Sequence, residues 1–170
     1  MPDMRAKPSA LTRDAFVALY GGVYEHSPHF AEGIWPQATG GAFDTLAGLS
    51  DALRAAVEAS GRGAQLALIR AHPDLAGRVK LSPESAGEQA GAGLDHCSPE
   101  ELSEFLALNT QYKAKFGFPF IKAVRGFTRP QILAEFRRRL DNDPDTEFRT
   151  ALEQIHRIAL LRLTDLAEST

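Results

Sequence analysis

The sequence predicts an all-α fold: a single compact bundle of about seven or eight helices, with residues 1–170 forming one domain. Three observations predict it. Short polar side chains stand directly before prolines at Ser27-Pro28, Ser82-Pro83, Ser98-Pro99 and Asp143-Pro144, a pairing that can cap first-turn amides and preset φ for the first helical residue. Between such starts, apolar residues recur at helical spacing. No stretch offers a convincing strand alternation to compete with them. With 170 residues, 44% of them hydrophobic, the chain has enough apolar material for one continuous core.

Taken in order, Leu11 to Tyr20 reads as a helix closed by Gly21-Gly22, and Ser27 reads as the cap of a short helix after it. Ala42 to Ala59 and Ala64 to Ala71 follow, separated by Gly61-Arg62-Gly63. The least helical stretch is AHPDLAGRVKLSPESAGEQ, because Pro73 disfavours helical geometry in the residue before it and so leaves His72 at a bend. Ser82-Pro83 opens the next helix. Ser98 with Glu101, and Thr128 with Gln131, have the spacing of capping boxes. Leu102, Phe105, Leu106 and Leu108 mark one core-facing stripe, and Leu152, Ile155, Ala159, Leu160, Leu163 and Leu166 mark another in the last helix.

Charge and cysteine content narrow the function. A net charge of -3 provides no basic field for nucleic acid or an anionic membrane. Cys97 is the only cysteine, so the fold is expected to hold by packing, as in a reducing compartment. No apolar run is long enough to cross a bilayer or to act as a signal peptide, and AEST at the C-terminus is not a peroxisomal address. We therefore expect a soluble, cytoplasmic protein.

Several residues could carry chemistry. His72 combines a bend with the side chain whose pKa lies nearest neutrality, although a histidine at a helix end also serves as a simple surface or capping residue. Ser85, Glu88 and Gln89 are spaced three and four apart, on one helix face that is polar where a packed helix would be apolar. A carboxylate beside an amide and a hydroxyl can read the donor and acceptor edge of a flat, nitrogen-rich ring; the alternative is a solvated face. Phe116, Phe118, Phe120 and Phe127 read mainly as an aromatic core corner. Arg125, between an apolar run and Gly126, could offer its guanidinium fork to a carboxylate or imide carbonyl. His26 and His29 are read as structural. Asp95, His96 and Cys97 invite a metal reading, but no second cluster of spaced ligands supports one, and no signal marks Cys97 as an activated nucleophile.

Four segments together resemble the family of 2-oxo-4-hydroxy-4-carboxy-5-ureidoimidazoline (OHCU) decarboxylases: GGVYEHSP from Gly21, AHPDLAG at Ala71–Gly77, SAGEQAGAGLD at Ser85–Asp95, and LNTQYKAKFGFPFIKAVRG at Leu108–Gly126. His29 departs from the aromatic residue common at its place in the family. The resemblance implies an all-helical single domain, commonly a homodimer, converting the unstable product of 5-hydroxyisourate hydrolysis to (S)-allantoin without cofactor or metal. By the same resemblance, His72 is the catalytic imidazole and Glu88 its acidic partner. Ser85, Gln89 and Arg125 contact the ligand, and Pro73 fixes the turn that aims His72. Two rival readings are a metal-dependent hydrolase using His72, Asp74, Asp95 and His96, and a non-catalytic helical interaction module.

Overall fold

A computed structural model describes residues 2–77 and 80–168. Part of the AHPDLAGRVK stretch, residues 78 and 79, lies outside the described residues. The described residues form eight α-helices: α1 (Arg13–Tyr20), α2 (His29–Ile34), α3 (Leu46–Ala59), α4 (Arg62–Arg70), α5 (Pro83–Gly91), α6 (Pro99–Phe116), α7 (Arg129–Arg139) and α8 (Pro144–Glu168). Short 3-10 turns occupy Pro8–Ala10, Gly21–Val23 and Trp35–Gly40. The only β pairing among the described residues is an isolated bridge between Asp3 and Thr45, so the all-α expectation holds. None of these helices is long and apolar enough to cross a membrane.

The helix starts are set by local chemistry. Ser82 accepts the Ser85 amide, and Ser98 and Thr128 form the reciprocal boxes with Glu101 and Gln131. Asp143 accepts the Thr146 amide at the head of α8. Other starts differ from the sequence reading. The first helix begins at Arg13 because Thr12 accepts the Ala15 amide. The third begins at Leu46, not Ala42, because Thr45 accepts the Gly48 amide. Ser27 is no cap at all: its hydroxyl donates back to the Glu25 carbonyl at 2.8 Å, and α2 starts without a side-chain cap.

The chain divides into two compact units, Met1–Ala71 with His156–Thr170, and His72–Ile155; α8 runs through the division. In the first unit Phe16, Tyr20, Tyr24, Leu49, Leu53, Val57, Leu68 and Ile69 are buried. Two polar links lie among them. Arg162 donates to Glu25 at 2.8 Å and to the Gly22 carbonyl at 3.0 Å, and the His156 ring joins Tyr24 Oη at 2.7 Å and Glu58 at 2.9 Å.

Gly48 permits a close approach within this unit. A methyl group there would stand 2.1 Å from the Ala42 carbonyl oxygen, a backbone atom with little freedom to retreat. Gly48→Ala is therefore expected to lower stability by about 1–3 kcal/mol, the usual cost of overpacking. An unchanged urea midpoint would contradict this.

The second unit is built on Phe105, Leu108 and Tyr112 of α6, Ile132, Leu133 and Phe136 of α7, and Phe148, Ala151 and Leu152 of α8. The expected aromatic corner is present. Tyr112 contacts Phe116, Phe118, Phe120 and Phe136, and Phe120 stacks on Phe136 with ring centroids 3.9 Å apart. Into this apolar region runs a buried ion pair. Glu147 accepts from Tyr112 Oη and Arg139 Nε, both at 2.6 Å, and from Asn142 at 3.0 Å, while Arg139 Nη1 donates to the Ile121 carbonyl at 2.6 Å.

Candidate active site

Every residue named as a site candidate belongs to the second unit. The corner that carries His72 begins where α4 ends, with the Ala71 amide closing on the Ala67 carbonyl. Pro73 prevents the helix from continuing. His72 is 8% exposed and Pro73 is half-buried.

The backbone after Pro73 is held by side chains from two helices. The Gln89 side-chain amide of α5 accepts from the Ala76 amide at 3.0 Å and donates to the Asp74 carbonyl at 3.2 Å. Asn109 of α6 donates to the Leu75 carbonyl at 3.0 Å, and Lys113, one turn further on, pairs with the Asp74 carboxylate at 2.7 Å. Ala76 has φ 55°, a left-handed conformation that a residue with a Cβ adopts only against a steric cost. The bonds to Asp74, Leu75 and the Ala76 amide hold the chain in that shape.

On α5, Ser85 and Gln89 are buried at 6% and 7% exposure, whereas Glu88 is half-exposed. The inward-facing pair is thus Ser85 and Gln89, four residues apart, with Glu88 at the edge of their face. Gln89 reaches the loop next to His72. The primary amide has two N–H groups and two acceptor lone pairs, so these two loop bonds use half of its capacity.

Arg125 sits apart from this cluster in sequence, at the tip of a turn closed by the Phe127 amide on the Val124 carbonyl at 3.0 Å, with Gly126 supplying φ 85°. Its side chain is exposed, while Ile121 to Val124 before it are buried. The base of the turn is fixed by Gln154, whose side-chain oxygen accepts the Ala123 amide at 2.9 Å, and by Lys122. Lys122 lies 3.5 Å from the centre of the Phe127 ring and pairs with Glu135 at 2.7 Å. Partial burial pushes the Glu135 carboxyl pKa up, but the hydrogen bond and charge of Lys122 more than offset it and leave the pKa below the ordinary value.

Other candidates separate from this chemistry. Burial, and secondarily the negative charge of Glu101, raise the Cys97 thiol pKa, the opposite of nucleophile activation. Asp95 and His96 are exposed and 3.8 Å apart, and among the described residues no three His, Cys, Asp or Glu side chains gather as a metal-binding group. The hydrolase reading therefore lacks its donor set. His26 is exposed beside Glu25 at 3.5 Å, and His29 lies against the Phe30 ring at 4.2 Å, both consistent with structural roles.

Asn109 and Lys113 were not singled out in the sequence. The available signal was an amide within the stripe of Phe105, Leu108 and Tyr112, a polar residue facing the core with no partner nearby in sequence.

Comparison with known proteins covers nearly the whole chain. The family described as OHCU decarboxylase matches residues 9–164. The 2-oxo-4-hydroxy-4-carboxy-5-ureidoimidazoline decarboxylase of Haloferax volcanii is 43% identical over 155 residues, covering 91% of this chain and 90% of that protein. The crystal structure of an (S)-allantoin synthase is similar with a TM-score of 0.78 and 33% identity, covering 95% of this chain but 53% of the other, so this chain spans about half of that longer one. A crystal structure of OHCU decarboxylase in the presence of (S)-allantoin shares the fold at a TM-score of 0.70 and 23% identity, covering 94% of this chain and 100% of that one.

Proposed function

The chain belongs to the OHCU decarboxylase family, and from that premise we propose that it releases the carboxylate of OHCU as carbon dioxide and yields (S)-allantoin, a carboxy-lyase step of uric acid degradation. Within the structure, one observation carries the reading furthest: the buried His72 corner is tied through Gln89 to the polar face of α5. A titratable imidazole and a hydrogen-bonding face are thereby connected within one unit.

The substrate needs no cofactor as electron sink. Its carboxylated carbon adjoins a C=N bond, so when the carbon–carbon bond to the carboxylate breaks, its electron pair forms a C=C bond between the two ring carbons and the C=N pair moves onto the ring nitrogen, which takes a proton. A second proton is then delivered to one face of the carbon bearing the ureido group, and loss of the neighbouring hydroxyl proton leaves the carbonyl of allantoin. The tasks left to the protein are to hold the carboxylate out of the ring plane, to stabilise the developing charge, and to choose the protonated face. Ser85, Gln89 and Arg125 orient the ring, with the Arg125 fork suited to a carboxylate or imide carbonyl. His72, braced by Pro73 and partnered by Glu88, is the general acid. Residues 1–170 act as one domain, which the family match from 9 to 164 supports because it runs through both compact units. The working form is a cytoplasmic homodimer, as the family resemblance implies.

The test couples urate oxidation and hydroxyisourate hydrolysis in one cuvette and follows allantoin by circular dichroism after this protein is added. Uncatalysed decay protonates both faces and gives a racemate. A rapid chiral signal is expected, and a decay neither faster nor more chiral than the blank would refute the assignment.

A further inference from the structure

We infer that Asn109 is a positioning residue for the proposed reaction, acting through the backbone of the loop to set the aim of His72; the inference rests on the decarboxylase reading above. Three consecutive residues after Pro73 are fixed by side chains: Asp74 and Ala76 by Gln89, and Leu75 by Asn109. Gln89 lies 13 and 15 residues further along the chain, while Asn109 lies 34 away on a different helix. The loop is therefore gripped from two independent elements. Lys113 adds a third hold on Asp74, but its side chain is 47% exposed, and such a pair contributes little.

The local chemistry at Asn109 favours a role beyond filling space. Its side chain is 4% exposed, and its Oδ1 is buried with no hydrogen-bond partner among the described residues. An unpaired buried acceptor carries a desolvation cost. A leucine of similar size would avoid that cost and suit the neighbouring Phe105, Leu108 and Tyr112. What leucine would lose is the bond to the Leu75 carbonyl, three residues from His72 and next to the left-handed Ala76. Without it, the Leu75 carbonyl is released and the corner can relax from its φ of 55°.

The experiment uses the full chain carrying Asn109→Leu, with Asn109→Ser as a smaller second variant and Thr110→Ala, an exposed residue of the same helix, as control. Both Asn109 variants should keep the wild-type helical dichroism and lose kcat by about 10- to 100-fold, the effect of a misplacement of about 1 Å. KM should stay close to wild type, since ring contacts are untouched, and enantiomeric purity of the allantoin should fall. The His72 ring resonances in NMR should shift in both variants and not in the control. Unchanged ring resonances and kcat in a folded variant would overturn the inference, as would unfolding of both variants, which would make Asn109 a structural residue only. The NMR readout needs no turnover, so it separates failure of this inference from failure of the decarboxylase reading, which would appear as inactivity of the unaltered protein.

Discussion

Glu147→Ala is expected to destabilise the protein by about 3–5 kcal/mol, because it leaves the Arg139 guanidinium charged and buried with its main partner gone. Arg139 and Glu147 are almost completely shielded from water, and the carboxylate also accepts from Tyr112 and Asn142. Removing it strands the tyrosine hydroxyl together with the cation. Urea unfolding followed by dichroism measures the effect; a loss below about 1 kcal/mol, the range of an exposed pair, would show that the network carries no special weight. The double variant Arg139→Met with Glu147→Leu should recover much of the loss, since an apolar pair of similar volume removes both desolvation costs at once.

His72→Ala should lower the decarboxylation rate by about 10²–10⁴-fold, the range attributed to a positioned general acid. Its product should approach a racemate, because proton delivery would pass to solvent. Rate and optical purity are both read in the coupled dichroism assay. A variant that kept either at the wild-type level would remove His72 from the corresponding step, whatever its location.

The contrast between these residues shows what the sequence made legible. Caps at Ser82, Ser98, Thr128 and Asp143 could be read directly because cap and amide lie within three residues of each other. Ser27 shows the limit of the same rule: its hydroxyl had a competing carbonyl two residues back and took it. At the start of α3, Ala42 and Phe43 extend the apolar spacing beyond the helix, while the cap that fixes the start is Thr45.

At the candidate site, the helical period identified Ser85 and Gln89 as neighbours, and burial agrees. It could not reveal that Gln89 bonds the loop of His72, because the period describes a residue's direction and not its partner. Asn109 and Arg139 were hidden for a related reason. In FRRRL the helical period puts Arg139 on the face of Ile132 and Phe136, away from the exposed Arg137 and Arg138, but it does not name the carboxylate that lets an arginine be buried there. Their roles depend on chain returning from 34 and 8 residues away.

The grip of two helices on the short loop after Pro73 has a kinetic meaning. Rotational freedom that a loose corner would surrender each time a ligand arrived has been surrendered once, during folding. Preorganisation of this kind leaves more of the ligand's binding energy for the transition state. An enzyme whose substrate decays unaided gains most from such an arrangement, since it must commit the molecule to one stereochemical outcome before water does so at random.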